Sequence, residues 1–186
     1  MADPEKVPVA PAVQFKGSCA CERITYHCTD TPKADETGIC HCVTCRKLSG
    51  GPYQAFTGVS AKSVTLFDQK EQLRYAGFPK DDIGGIMYLR FSQIGERSFC
   101  VSCYSPLAMR YKHRPDVVDL TLSSIDEDSI VGEDGKRSLR VSFHIFTSQK
   151  VSWIDIEKDG VPEGRRHERF SKTFEEKLSA WESKQQ

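Results

Sequence analysis

Residues 17–28 read GSCACERITYHC, and this stretch decides the fold. Its first half is a Cys-x-Cys hook, Cys19 and Cys21; its second half sets Ile24, Tyr26 and Cys28 on one side against Thr25 and His27 on the other. Strict alternation is the period of a half-buried β-strand. A two-cysteine hook feeding straight into a strand is half of a metal knuckle, because both sulfurs can turn toward one ion. The other half lies far along the chain, in the Cys-x-x-Cys pair Cys100 and Cys103. Four thiolates of this kind would close a tetrahedral zinc site tying the first strand to a distant loop. Affinity for that ion, absent from the unfolded chain, becomes folding free energy.

The chain of 186 residues has the length of one ordinary domain, and a 38% hydrophobic fraction can fill one core. Lysine plus arginine and aspartate plus glutamate each number 26, so no excess charge is available to attract phosphates, and nucleic acid is a poor partner. No run reaches the eighteen or so apolar residues that span a bilayer, and the first residues lack the apolar stretch of a signal peptide. The expectation is a cytoplasmic protein with no membrane contact. In that reducing compartment eight cysteines argue for metal or catalysis rather than for disulfides.

A third cluster, Cys40, Cys42 and Cys45, packs three thiols into six residues and has no obvious second hook. Three protein ligands leave a fourth zinc position open to water or substrate, the pattern of a catalytic site. Cys28, in phase with Ile24 and Tyr26, reads as a small core residue. A thioredoxin-like redox pair needs a helix start in a βαβ setting, and the pattern offers neither. One zinc with spare thiols is a further alternative that metal analysis would settle.

Short alternating segments separated by glycine, proline and aspartate dominate from residue 13 onward, which predicts a mainly β fold. Buried sides are expected at Leu73 and Tyr75; at Met87, Leu89 and Phe91; at Leu107, Met109 and Tyr111; and at Val118, Leu120 and Leu122. The clearest strand is expected over 139–146, with Leu139, Val141, Phe143 and Ile145 inward and Arg140, Ser142, His144 and Phe146 on the polar side. GEDG at 132–135 reads as a turn, and FPKDDIGG at 78–85 as a mobile loop beside a site. Phe170, Phe174, Leu178 and Trp181 recur at helical spacing, predicting a helix over 173–184 with Thr173 and Glu176 as its capping box, covering a sheet edge or the end of the core. The organisation is a disordered leader over 1–12, a zinc domain over 13–165 and a C-terminal helical extension over 166–186.

The blocks GSCACERITYHC, CHCVTCRKLSGG (40–51), RSFCVSCYSPL (97–107) and HIFTSQKVSW (144–153) together resemble the glutathione-dependent formaldehyde-activating enzyme family, also called the centromere-protein-V/GFA domain. The resemblance covers about residues 14–164 and implies a Mss4-like, or β-tent, fold with two zinc ions. One would be structural, at Cys19, Cys21, Cys100 and Cys103; the other catalytic, at Cys40, Cys42 and Cys45. The family usually carries glycine directly after each structural hook, whereas this chain has Glu22 and Tyr104.

The family's reaction joins formaldehyde and glutathione into S-hydroxymethylglutathione. The resemblance therefore implies a zinc-dependent carbon–sulfur lyase, or synthase in reverse, taking glutathione or another thiol as partner. A larger thiol adduct or carbonyl metabolite, or a non-catalytic zinc-stabilised binding module, are the alternatives. The chromatin-associated branch of the family is disfavoured, since Lys6 is the leader's only basic residue. Arg46 and Lys47, just after the third cluster, read either as substrate-carboxylate partners or as ordinary surface charge. His144 reads either as an acid–base or substrate-contacting group or as a structural histidine, His41 is expected to point outward, and Trp153 to sit in the core or its rim. Loading both sites would shift the formal charge from zero to about −3.

Overall fold

The computed structural model describes residues 11–32 and 35–185; most of the expected leader lies outside them. Two sheets face one another. The smaller has the order β1 (Phe15–Ser18), β2 (Ile24–Cys28), β5 (Val64–Asp68), β6 (Leu73–Ala76), all antiparallel. The larger has seven strands, ordered β11 (Phe143–Ile145), β3 (Thr37–Cys40), β4 (Gln54–Ser60), β10 (Val117–Thr121), β9 (Pro106–Tyr111), β8 (Gly95–Cys100) and β7 (Ile86–Leu89). Among these strands only β11 and β3 pair in parallel. Three helices complete the fold among the described residues: α1 (Val43–Ser49), α2 (Gly132–Ser138) and α3 (Lys172–Glu182). The architecture is mainly β with a C-terminal helix, and none of these helices is long and apolar enough to cross a membrane.

The core lies between the sheets. Phe15, Ile24, Tyr26, Cys28, Val64 and Leu66 come from the smaller sheet and meet Val59, Ile86, Leu107, Val118 and Leu120 from the larger. Ile24, Tyr26 and Cys28 are all buried to 1% exposure or less, so the alternation read from 17–28 is the one observed and Cys28 is core. Gly17 is required here: opposite Tyr26 in the β1–β2 register, any Cβ would run into the tyrosine ring and the Ser124 carbonyl. Tyr26 Oη in turn lies 2.9 Å from Ser124 Oγ, which satisfies the one polar atom of that buried ring.

Other expectations are corrected. In β7 the buried side is Ile86 and Tyr88, not Met87, Leu89 and Phe91; both phases of IMYL are apolar, and Phe91 falls past the strand end at 50% exposure. Leu73 is exposed because β6 is an edge strand with little above it. The loop at 78–85 is tied down rather than free beside the site: Phe78 is buried, and the Pro79 carbonyl accepts from Tyr88 Oη and from Arg110 Nη1. GEDG begins α2 instead of making a turn, with Glu133 and Asp134 in the first turn and Lys136 and Arg137 in the last, a charge order that suits the helix dipole. Helix α3 is capped by Ser171, whose Oγ accepts the Phe174 N–H, rather than by a Thr173–Glu176 box.

The strand expected over 139–146 shrinks to three residues, and its polarity reverses. Phe146 enters the left-handed region at φ 58°, which ends β11, and His144 is 1% exposed while Phe143 and Ile145 are only half-buried. The cause is the returning chain, which covers that side: His167 N–H donates to the His144 carbonyl, Thr147 N–H to His167, and Phe146 N–H to Arg169. His41, expected outward, is fully buried against the same wall. His41 Nε2 and His144 Nδ1 are 2.8 Å apart, and His144 Nε2 lies 2.7 Å from Asp159 Oδ2. Burial lowers both imidazoles, His41 to about 4, so they are neutral. A carboxylate only accepts, so Asp159 places the His144 proton on Nε2, leaving Nδ1 to accept from His41 Nε2–H. Trp153, expected at the core or its rim, is instead 74% exposed.

Two left-handed residues fix the hooks. Glu22 at φ 57° and Tyr104 at φ 59° stand where each knuckle turns back, their N–H groups donating to the carbonyls of Cys19 and Cys100. These are the two positions where glycine was missing, so the chain keeps the turn with side chains that dislike it. Both residues are exposed, and glycine there loses little packing. Glu22→Gly and Tyr104→Gly should each raise stability by about 1 kcal/mol, read from urea unfolding at unchanged slope; a loss at both positions would show that the turns carry no strain. Asp159→Asn should destabilise the protein by about 1.5–3 kcal/mol in the same assay, since it removes a charged acceptor from a buried histidine.

Candidate functional site

The first cysteine cluster joins the two sheets. Cys19 and Cys21 lie in the β1–β2 connection, Cys100 ends β8, and Cys103 stands in the turn to β9. Their sulfurs all fall within 4.8 Å of one another, with 3.6 Å between Cys19 and Cys21 and 3.8 Å between Cys21 and Cys100. Tetrahedral bonds of about 2.3 Å put ligand sulfurs about 3.8 Å apart, so the donor set fits a tetrahedral thiophilic ion. Backbone N–H groups already point at these sulfurs, from Ile24 to Cys19 and from Ser102 to Cys100. Burial pushes the Cys19 thiol up to about 12; at Cys103 burial acts the same way, but hydrogen bonding from Ser105 and Cys21 outweighs it and brings the thiol down to about 6.

The second cluster has a different setting. Cys40 ends β3, Cys42 is the N-cap of α1, and Cys45 lies in its first turn, with the Cys45 N–H donating to Cys42 Sγ at 3.3 Å. Their three sulfurs are also within 4.8 Å of one another, and no fourth cysteine, histidine or carboxylate joins them among the described residues. Hydrogen bonds from Cys40 and Cys45 push the Cys42 thiol far down, and the same sharing, with burial, pushes Cys40 up. Contrary to expectation, the Cys42-x-x-Cys45 pair does start a helix, but β3 and β4 on either side are antiparallel, so it is not a βαβ redox motif. Both clusters could hold a metal ion.

The first cluster borders a cavity of about 320 Å³ through Cys19 alone, and the second cluster borders a larger one. Cys40 and Cys45 line a space of about 500 Å³, within the range of small-molecule sites. Arg97, 8% exposed on β8, also lines it and donates from Nη2 to Cys45 Sγ at 3.4 Å, a cation beside the group of thiols. Tyr111 follows on β9, its phenol held protonated by burial. Beyond it Arg114 chelates Asp119 at 2.5 and 2.6 Å and lies over the Tyr111 ring. The far wall is the C-terminal segment, where Phe170 and Phe174 stack at 4.2 Å and both meet Tyr111 edge-on.

The sequence-derived residues divide accordingly. The seven metal-type cysteines form the two groups read from their spacing. Arg46 is half-buried and Lys47 exposed in the last turn of α1, and neither lines the cavity. His144 lies behind the Cys40–Cys42 loop, in the His41–Asp159 contact, and does not line the cavity either. Arg97, Tyr111 and the Arg114–Asp119 pair were missed; Arg97 stands between Glu96 and Ser98 in the mixed strand GERSFC, and its one signal was a place three residues before a cysteine hook.

A family model described as glutathione-dependent formaldehyde-activating enzyme matches residues 14–149. A Halomonas elongata protein whose name carries the same words is 27% identical over 143 residues, covering 77% of this chain and 81% of its own. A solved Rhodobacter sphaeroides structure aligns over 61% of this chain and 89% of its own, at 12% identity and a TM-score of 0.46. Since the matched span includes both cysteine clusters and most of the chain, the chain belongs to the glutathione-dependent formaldehyde-activating enzyme family.

Proposed function

We propose that the protein is a carbon–sulfur lyase, or synthase in the other direction, that joins a thiol such as glutathione to a small aldehyde. It would hold zinc structurally at Cys19, Cys21, Cys100 and Cys103 and catalytically at Cys40, Cys42 and Cys45. The observation that carries this reading is that the three-cysteine group borders a cavity of about 500 Å³ together with Arg97 and Tyr111, whereas the four-cysteine group borders a smaller one through Cys19 alone. A bound zinc there would supply Lewis acidity toward an aldehyde oxygen and favour the ionised thiol. In the net reaction the sulfur adds to the carbonyl carbon, the C=O double bond becomes C–OH, and the thiol proton ends on that oxygen.

The chain's own residues supply position and charge. Arg97, fixed by its contact with Cys45, offsets the negative charge of the cysteine group and offers its remaining N–H groups to an oxygen in the cavity. Tyr111 brings a protonated hydroxyl to the same space. At the outer end Arg165, Lys172 and Lys177 line the cavity and suit the carboxylates of a peptide thiol better than Arg46 and Lys47, which lie outside it. His144 acts as a positioning residue: with Asp159 it holds His41, and so the backbone between Cys40 and Cys42. Eight free cysteines suit a reducing, cytoplasmic setting. A binding module alone would not need cysteines bordering a cavity of this size.

Freshly purified protein should contain about two equivalents of zinc; fewer than about 1.5 would remove the two-site reading. With glutathione and formaldehyde, exchange NMR should show adduct formation faster than in buffer, and Cys42→Ser should lose that acceleration together with about one equivalent of zinc while remaining folded. No acceleration by the wild type would sink the proposed reaction. Arg97→Met should lower activity by roughly 10²-fold, as removal of a charged donor at a reacting centre does.

A further inference from the structure

The side of the cavity that faces the cysteines across Tyr111 is built from chain beyond residue 149, past the end of the family match. It contributes Phe170 and Phe174, stacked on each other and edge-on to Tyr111, and with Phe56, Phe143 and Met109 they make an apolar wall within the space that Cys40 and Cys45 also border. The wall is held in place. Residues 166–169 run beside β11 through backbone hydrogen bonds, Phe146 packs edge-on to Phe170 at 4.8 Å, and Arg114 lies over Phe174.

Neither partner of the family reaction has use for such a wall. Formaldehyde carries only hydrogens on its carbonyl carbon, and glutathione is a polar peptide with two carboxylates. Rings beside a reacting carbon gain contact energy only from an apolar substituent on that carbon. We propose that the aldehyde component of this enzyme's substrate is an apolar one, aromatic or branched, whose side group seats against Phe170 and Phe174, and that this C-terminal wall sets the enzyme's aldehyde selectivity. The assignment rests on the lyase reading above. The reaction balances as before: the thiol sulfur bonds to the aldehyde carbon, the thiol proton passes to the carbonyl oxygen, and the apolar group is a spectator whose burial orients the carbon.

The test uses stable thioethers first, so that binding is read apart from turnover. By isothermal titration the zinc-loaded protein should bind S-benzylglutathione about tenfold or more tightly than S-methylglutathione. Phe174→Ala should abolish the preference, whereas Phe174→Leu, which keeps an apolar side chain on α3, should retain part of it and controls for loss of the helix. In the exchange assay with glutathione, acceleration should be larger for phenylacetaldehyde than for formaldehyde, and Phe174→Ala should lower the phenylacetaldehyde-to-formaldehyde ratio about tenfold. Equal binding of the two thioethers, or equal losses for the two aldehydes, would overturn the selectivity assignment and leave the lyase reading standing. Acceleration of neither aldehyde by the wild type would overturn both.

Discussion

The contact on which the rest of the molecule depends is the meeting of two cysteine hooks from opposite sheets. Cys19 and Cys21 belong to the turn of the smaller sheet, Cys100 and Cys103 to a turn of the larger, and their sulfurs sit at the spacing of a tetrahedral site. Two sheets of four and seven strands otherwise meet through apolar packing, which is non-directional, and a few hydrogen bonds such as Tyr26 to Ser124 and Asp126 N–H to the Lys16 carbonyl. A metal ion held by the four sulfurs would give that packing a fixed angle. Arg97 depends on it too, being three residues before Cys100 on the same strand, and it reaches across to Cys45.

The second cluster gathers the same donor type in different surroundings. Three sulfurs share a short segment at the junction of a strand and a helix, so they need no distant partner to assemble. What they need is a fixed backbone and a compensating charge. The first comes from behind, through His41, His144 and Asp159; the second from the side, through Arg97. Neutral histidines suit this place, because two imidazolium ions beside one another would repel.

Legibility in the sequence followed the range of each interaction. The alternation of Ile24, Tyr26 and Cys28 is a local signal and was read correctly, as were the cysteine groups, whose spacing is itself the geometry of a knuckle. His144 was misplaced because its burial is imposed by residues 159–169, which return along β11 from far down the chain. In isolation a histidine flanked by Phe143 and Ile145 looks like the polar side of a strand; here those two residues border the cavity and the histidine faces the packed side. The same reason hid Arg97, Tyr111 and the Arg114–Asp119 pair, since a cavity has no period. The helical spacing of Phe170, Phe174, Leu178 and Trp181 announced α3, but nothing in that spacing told which surface it would cover.

The ladder between residues 144–147 and 166–169 also divides the work along the chain. The cysteines themselves all lie before residue 104, while much of the opposite wall is encoded after residue 164, and the His144–Asp159 contact and short stretches such as Thr147 to His167 couple the two. Insertions, deletions or exchanges in the tail can therefore resculpt what enters the cavity while the sulfur-bearing scaffold stays untouched. The protein is in this sense a fixed sulfur-bearing half with an interchangeable face, and relatives differing over the segment that matches 165–182 are expected to differ in the shape of the cavity before they differ in the cysteine groups.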